Sequence, residues 1–173
     1  MGEARKWLFE PDFNRAIKVQ ASDERITSDA GLILLREADH RLGLTEWLAQ
    51  QLVDPRRQHL IRYQLVELLR ERLYALAQGY AAQDDADRLA HDPAMKMAAW
   101  DRPGEQTLDQ RLASQPTQSR LIDILCHTRG NREALRDALG EICQRHLRAT
   151  GGDHAARRIT IDELQWNNGI RPS

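Results

Sequence analysis

The stretch LIRYQLVELLRERLYALAQ, residues 60–78, decides the fold. Ile61, Leu65, Leu68, Leu69, Leu73, Leu76 and Ala77 recur at the three- and four-residue spacing that collects one face of an α-helix, and Gly79 closes the pattern. A stripe this wide suits a core-facing helix, and the expectation is that it forms the centre of the fold. Arg56, Arg57, Arg62, Arg70 and Arg72 flank the stripe and read as solvated charges unless they share a face with the basic C-terminal half, with Arg56, Arg57 and His59 forming a basic turn before it.

Further helices extend from it in both directions. Ser28-Asp29 supplies an N-cap for Leu32, Leu35, Ala38 and Leu42, ended by Gly43, and Thr45 caps a second helix to about Val53. After Gly79, Asp84, Asp85 and Asp87 head a short helix ending near His91, and Asp92-Pro93 starts another with a capping carboxylate and a proline in the first turn. Thr107 caps Leu108 to Ala113, Ser114-Gln115-Pro116-Thr117 turns the chain into Gln118 to His127, and Asn131 caps a long helix to about Ala149. Only the two ends read as strands. Ala16 to Gln20 alternates near the start, and Arg157 to Asp162 is β-branched and alternating after the break at Gly151-Gly152.

Composition agrees. The chain has 173 residues, 41% hydrophobic and 29% charged, with 5% aromatics and apolar content dominated by Leu and Ala, which excludes a large multidomain enzyme, a disordered chain and an all-β sandwich. No run is long and apolar enough for a membrane span, and Met1 to Phe9 carries charges where a signal peptide would be apolar, so the expectation is a cytoplasmic protein with no membrane partner. Cys126 and Cys143 lie on separate helices and read as reduced, packed thiols.

Net charge is −1, but residues 111–158 hold nine Arg against five acids. Within this basic part, Leu108 to His127 reads as a helix-turn-helix-like pair. Its second helix exposes Thr117, Gln118, Ser119 and Arg120 in the first turn, the end that enters a major groove, where Gln and Arg meet base edges and Ser or Thr meets phosphate. Arg111 and Arg148 join these as candidate DNA contacts. Simple helix packing is the competing reading of the same pattern. Asp84, Asp85, Asp87 and Asp92 read as capping carboxylates rather than metal ligands. Asp162 ends the last strand, where a metal-binding carboxylate would stand, but no later acid beyond Glu163 completes a two-metal set.

Four blocks in order, Ile26 to Leu32, Gln78-Gly79-Tyr80 to Leu89, His91-Asp92-Pro93-Ala94 and Leu112 to Arg120, resemble the N-terminal region of bacterial DDE-type insertion-sequence transposases. The resemblance covers about residues 16–162. It implies a helical DNA-binding region followed by an RNase H-like catalytic domain, with Asp162 at the first position of the acidic triad as both catalytic and metal-binding residue, and Mg²⁺ as the ion of the full-length family. Beyond Asp162 the family's second acid and His-Gly turn are replaced by Glu163 to Ile170.

The expected fold class is therefore mainly α. A strand-like segment fills 1–27, a helical DNA-binding domain 28–150, and the truncated start of an RNase H-like α/β domain 158–173. The expected function is a truncated transposase fragment that binds the terminal inverted repeats of its element as double-stranded DNA, without a cofactor, on the nucleoid. The alternative is an inert or regulatory helical module pairing with full-length transposase or with itself.

Overall fold

The central helix begins later than its apolar stripe. Gln64 is extended and its N–H donates to Glu67 Oε2 at 2.8 Å, half of a capping box, so the helix runs Leu65–Ala77 and leaves Leu60 and Ile61 outside it. This is the computed structural model of the chain, and it describes residues 9–19, 31–82, 84–101 and 106–149. Its elements, in order, are α1 (Gly31–Leu42), α2 (Leu44–Gln51), a 3-10 turn (Gln58–Leu60), α3 (Leu65–Ala77), α4 (Asp85–Leu89), α5 (Pro93–Ala99), α6 (Gln106–Asp109), α7 (Gln115–His127) and α8 (Asn131–Ala149). None of the described helices is long and apolar enough to cross a membrane.

Helix α3 serves two cores. Its N-terminal half places Leu65, Leu68 and Leu69 against Leu48 and Leu52 beside α2, Leu121 of α7 and Ala138 of α8. Its C-terminal half places Tyr74 and Ala75 against Leu32 of α1, Leu89 and Ala90 at α4, Trp100, and Ala94, Met95, Ala98 and Ala99 of α5. The four alanines Ala90, Ala94, Ala98 and Ala99 are at most 1% exposed, so their small side chains let neighbouring backbones approach closely. Tyr63 packs against both clusters.

Between the cores lies charge, not hydrocarbon. Arg70 is 0% exposed and Arg36 1% exposed, and both reach Asp101 after α5: Arg70 Nη1 at 2.6 Å and Arg36 Nη2 at 2.5 Å. Arg70 also donates to Glu46 Oε1 at 2.9 Å and to Thr45 Oγ1 at 3.0 Å. The buried Asp39 accepts from the Tyr74 hydroxyl, the Thr45 hydroxyl and the Thr45 N–H at 2.5, 2.5 and 2.8 Å. Arg36 further lies 5.0 Å from the centroid of the Phe13 ring, an electron-rich face for its remaining surface. Burial opposes the charge on Asp101, but the bonds from Arg70 and Arg36 outweigh it and hold the carboxyl below its ordinary range. The reading of Arg70 as solvated is thus overturned, while Arg72 is the surface residue expected, half-buried with its head on Ala81 O. Leu73 and Leu76, placed in the stripe, are 40% and 45% exposed instead. Apolar spacing alone rotates the buried face towards them, because it leaves out Arg70 and Glu71.

Other expectations shift for local reasons. Gly43 at φ 62 both ends α1 and precedes α2, so Thr45 lies inside the second helix and its hydroxyl serves Asp39 rather than a cap. Asp92 caps α5 as expected, accepting from Met95 N at 2.7 Å. The expected helix from Leu108 to Ala113 shrinks to one turn: Leu112 and Ala113 lie outside it and are buried, with Leu112 N bonded to Ala90 O. At the start, the strand reduces to one antiparallel bridge, Phe9 to Val19, and Glu37 ties this segment to α1 by accepting from Asp12 N at 2.7 Å. The capping Ser28-Asp29, the C-terminal strand and Asp162 lie outside the described residues. Cys126 and Cys143 are free but exposed, not packed.

Removing Arg70 would take away one of Asp101's two arginine partners, the partner of Glu46, and the guanidinium 3.8 Å from the buried Asp39. Arg70→Met should lower the unfolding free energy by about 3 to 5 kcal/mol, and Arg72→Met by less than about 1 kcal/mol. Urea denaturation measures both; similar small losses would demote the network.

Candidate functional site

Three separate segments meet at one face: the loop from Val53 to Tyr63, the non-helical stretch 111–114, and the first turns of α7. Asn131, expected to cap α8, instead fixes the start of the loop. Its Oδ1 accepts from Val53 N at 2.8 Å, and its Nδ2 donates to Val53 O at 3.0 Å and to Ile124 O at 3.1 Å. The loop is closed by a clamp in which Arg56 bonds Asp54 with two nitrogens, at 2.8 and 2.7 Å, and Tyr63 O with a third at 3.1 Å. The hydrogen bond from Arg56 pulls the Asp54 carboxyl below its ordinary range. Tyr63 completes the join, donating its hydroxyl to Arg111 O at 2.9 Å.

These segments enclose an open groove of about 760 Å³ with an apolar floor that includes Leu68, Leu112 and Leu121. Its walls carry five arginines, Arg56, Arg57, Arg62, Arg111 and Arg120, with Ser114 and Thr117, and among the described residues no carboxylate lines it. The five are not equivalent. Arg56 is spent in the clamp, Arg62 lies 5.2 Å from the Tyr63 ring centroid, and Arg111 stands a loose 3.7 Å from Asp87. Arg57 and Arg120 are exposed and have no ion pair among the described residues. Such a groove can take a polyanion, its guanidinium groups meeting paired oxygens and its hydroxyls donating between them.

Helix α7 starts three residues earlier than expected, with Ser114 before it and Pro116 in its first turn. That shift sorts the expected contacts onto different faces. Thr117 and Arg120 line the groove, as does Arg111. Gln118 turns inward, 3% exposed, and donates to Glu71 Oε2 at 2.9 Å, so it cannot reach a base edge from this position. Ser119 is half-buried and accepts from Gln115 Nε2 at 3.0 Å. Arg148 stands outside the groove on α8, bonded to Gln144. The helix pair joined by a short turn is also different: α6 packs on α5, and it is α7 and α8 that contact each other across Thr128-Arg129-Gly130, with Gly130 at φ 88. Arg57 belonged to the basic turn visible in the sequence, which left open whether that turn shares a face with the basic C-terminal half; the groove places Arg57 and Arg120 together.

The acidic run serves structure. Asp85 accepts from Ala82 N, and Asp87 accepts from Gln115 N at 3.3 Å, fastening α4 to the start of α7. Among the described residues no three His, Cys, Asp or Glu side chains gather into a group that could hold a metal ion.

Glu71 couples α3 to this face. It accepts from Gln118 and from Ala113 N, yet burial pushes its carboxyl up to about 7, with the neighbouring Glu67 adding to the rise. Because the folded value lies above the ordinary one of 4.5, the folded chain holds the proton more tightly, and the stability gained below the ordinary value is lost as pH rises through 7. Glu71→Gln should remove a fall of about 3 kcal/mol between acid and pH 8, read as the difference between the two melting-against-pH curves; parallel curves would show that the Glu71 carboxyl titrates no higher in the folded chain than in the unfolded one.

The family model described as Transposase DDE domain group 1 matches residues 9–162, a span that includes all the described residues. No curated protein and no solved structure matches the chain.

Proposed function

We propose, starting from the fact that this chain belongs to the Transposase DDE domain group 1 family, that its arginine groove binds double-stranded DNA and that the cognate duplex is the terminal repeat of its element. The observation that carries the reading is the groove itself: five arginines from segments far apart in sequence converge, and two of them, Arg57 and Arg120, have no ion pair among the described residues. In a chain of net charge −1 this concentration of positive charge is local, which is how a protein of balanced composition attracts phosphate. Arg57 and Arg120 meet phosphates or base edges, Thr117 and Ser114 donate hydroxyls to the backbone, and Arg56 holds the loop that presents them.

In this reading the helical region recognises DNA and the chemistry belongs to the part of the family that begins near Asp162. No catalytic step is assigned to the described residues. Pairing with full-length transposase, or with a second copy, would add to binding rather than replace it.

Fluorescence anisotropy of the full chain against the terminal repeat and against a mixed-sequence duplex, at several salt concentrations, tests this. Affinity should fall steeply with salt, and Arg57→Ala and Arg120→Ala should each lower the salt slope by about 1. If Arg120 reads a base, its loss should cost about 1 to 3 kcal/mol on the repeat and less on the mixed duplex. Arg148→Ala, outside the groove, should do less than either. Absence of binding at low salt would overturn the reading.

A further inference from the structure

The loop before α3 presents a leucine that neither core uses. Leu60 is 69% exposed, more than any other large apolar side chain among the described residues. It ends the 3-10 turn, where its N–H donates to Arg57 O at 2.9 Å and Ile61 N donates to Gln58 O at 3.4 Å. The bonds from Asn131 to Val53 and the Asp54–Arg56–Tyr63 clamp tie down both ends of this loop. The tip is therefore built on a hydrogen-bonded stem, and the stem holds an apolar side chain out in water.

Its surroundings define the partner. Leu60 lines the same groove as Arg57, Arg62, Arg111 and Arg120, and the first two flank it in sequence. An apolar protein surface covering Leu60 would have to strip water from those guanidinium groups without replacing it. A DNA duplex supplies phosphates to the arginines and, between them, a stack of flat base pairs that an aliphatic side chain can enter when one step opens. We infer that Leu60 is a wedge that inserts between two base pairs of the duplex held in the arginine groove and kinks it there. The inference rests on the DNA-binding reading above. It also adds a selectivity that no base contact supplies: steps that unstack easily are favoured at the wedge position.

The test compares a short mixed-sequence duplex with the same duplex carrying one central nick, where stacking is already weakened. The full chain should bind the nicked duplex about tenfold more tightly. Leu60→Ala should bind both about equally, and Leu60→Phe should keep the preference. End-to-end energy transfer across the intact duplex should show a bend with the unaltered chain and none with Leu60→Ala. Because Leu60 is outside both cores, its variants should melt as the unaltered chain does. A nick preference that survives in Leu60→Ala, or that is missing from an unaltered chain that binds both duplexes, would overturn the wedge and leave the DNA reading standing. An unaltered chain that binds neither would overturn both.

Discussion

A guanidinium with no exposed surface has to be answered from every side, and Arg70 is answered by three elements at once. Glu46 and Thr45 come from α2, Asp101 from the end of α5, and Asp39 of α1 stands 3.8 Å away, sharing its oxygens with Thr45 and Tyr74. Each of these groups is oriented by the others, so α1, α2, α3 and the corner after α5 are held in one mutual arrangement in which every nitrogen of the Arg70 guanidinium is bonded. Hydrocarbon packing tolerates small rotations; a multi-centre ion network around a buried guanidinium does not. The two apolar clusters on either side of α3 inherit their relative position from it, and so do the segments that α3 holds against α7.

This explains which parts of the fold the sequence displayed. The left-handed Gly43, the Asp92 cap before Pro93 and the extent of α8 are local features, written in neighbouring residues, and each stands where local chemistry places it. The face of α3 is not local. Spacing counted only apolar residues, whereas the buried surface includes Arg70 and Glu71, whose partners lie 24 to 47 residues away. The Gln64 to Glu67 box was legible and would have moved the helix start. Burial of Leu112 and Ala113 outside any helix was not, since it depends on Ala90 O and on Glu71.

The site follows the same division. Thr117, Arg120 and Arg111 were visible as a basic cluster near a helix start, and the groove includes all three. Gln118 looked equivalent to them in sequence, but a helix turns by about 100° per residue, and the earlier start of α7 sends that one side chain to Glu71. The inner and outer faces of α7 thus divide the labour: Gln118 and Leu121 set where the helix lies, and Thr117 and Arg120 face the groove.

The close-packed alanines have a consequence for how this chain tolerates change. Ala90, Ala94, Ala98 and Ala99 contribute little apolar area, and replacing them by glycine would leave only methyl-sized gaps. Enlargement is another matter, because each methyl is sealed from solvent in one cluster with Leu32, Tyr74, Met95 and Trp100. Added methylenes in such a place typically cost about 1 to 3 kcal/mol through forced rotamers and backbone shifts. The substitutions that a hydropathy scale would rate as improvements, alanine to valine or leucine, are therefore the ones this part of the molecule can least absorb. Here sequence drift is bounded by volume from above, and the smallest side chains are the least exchangeable.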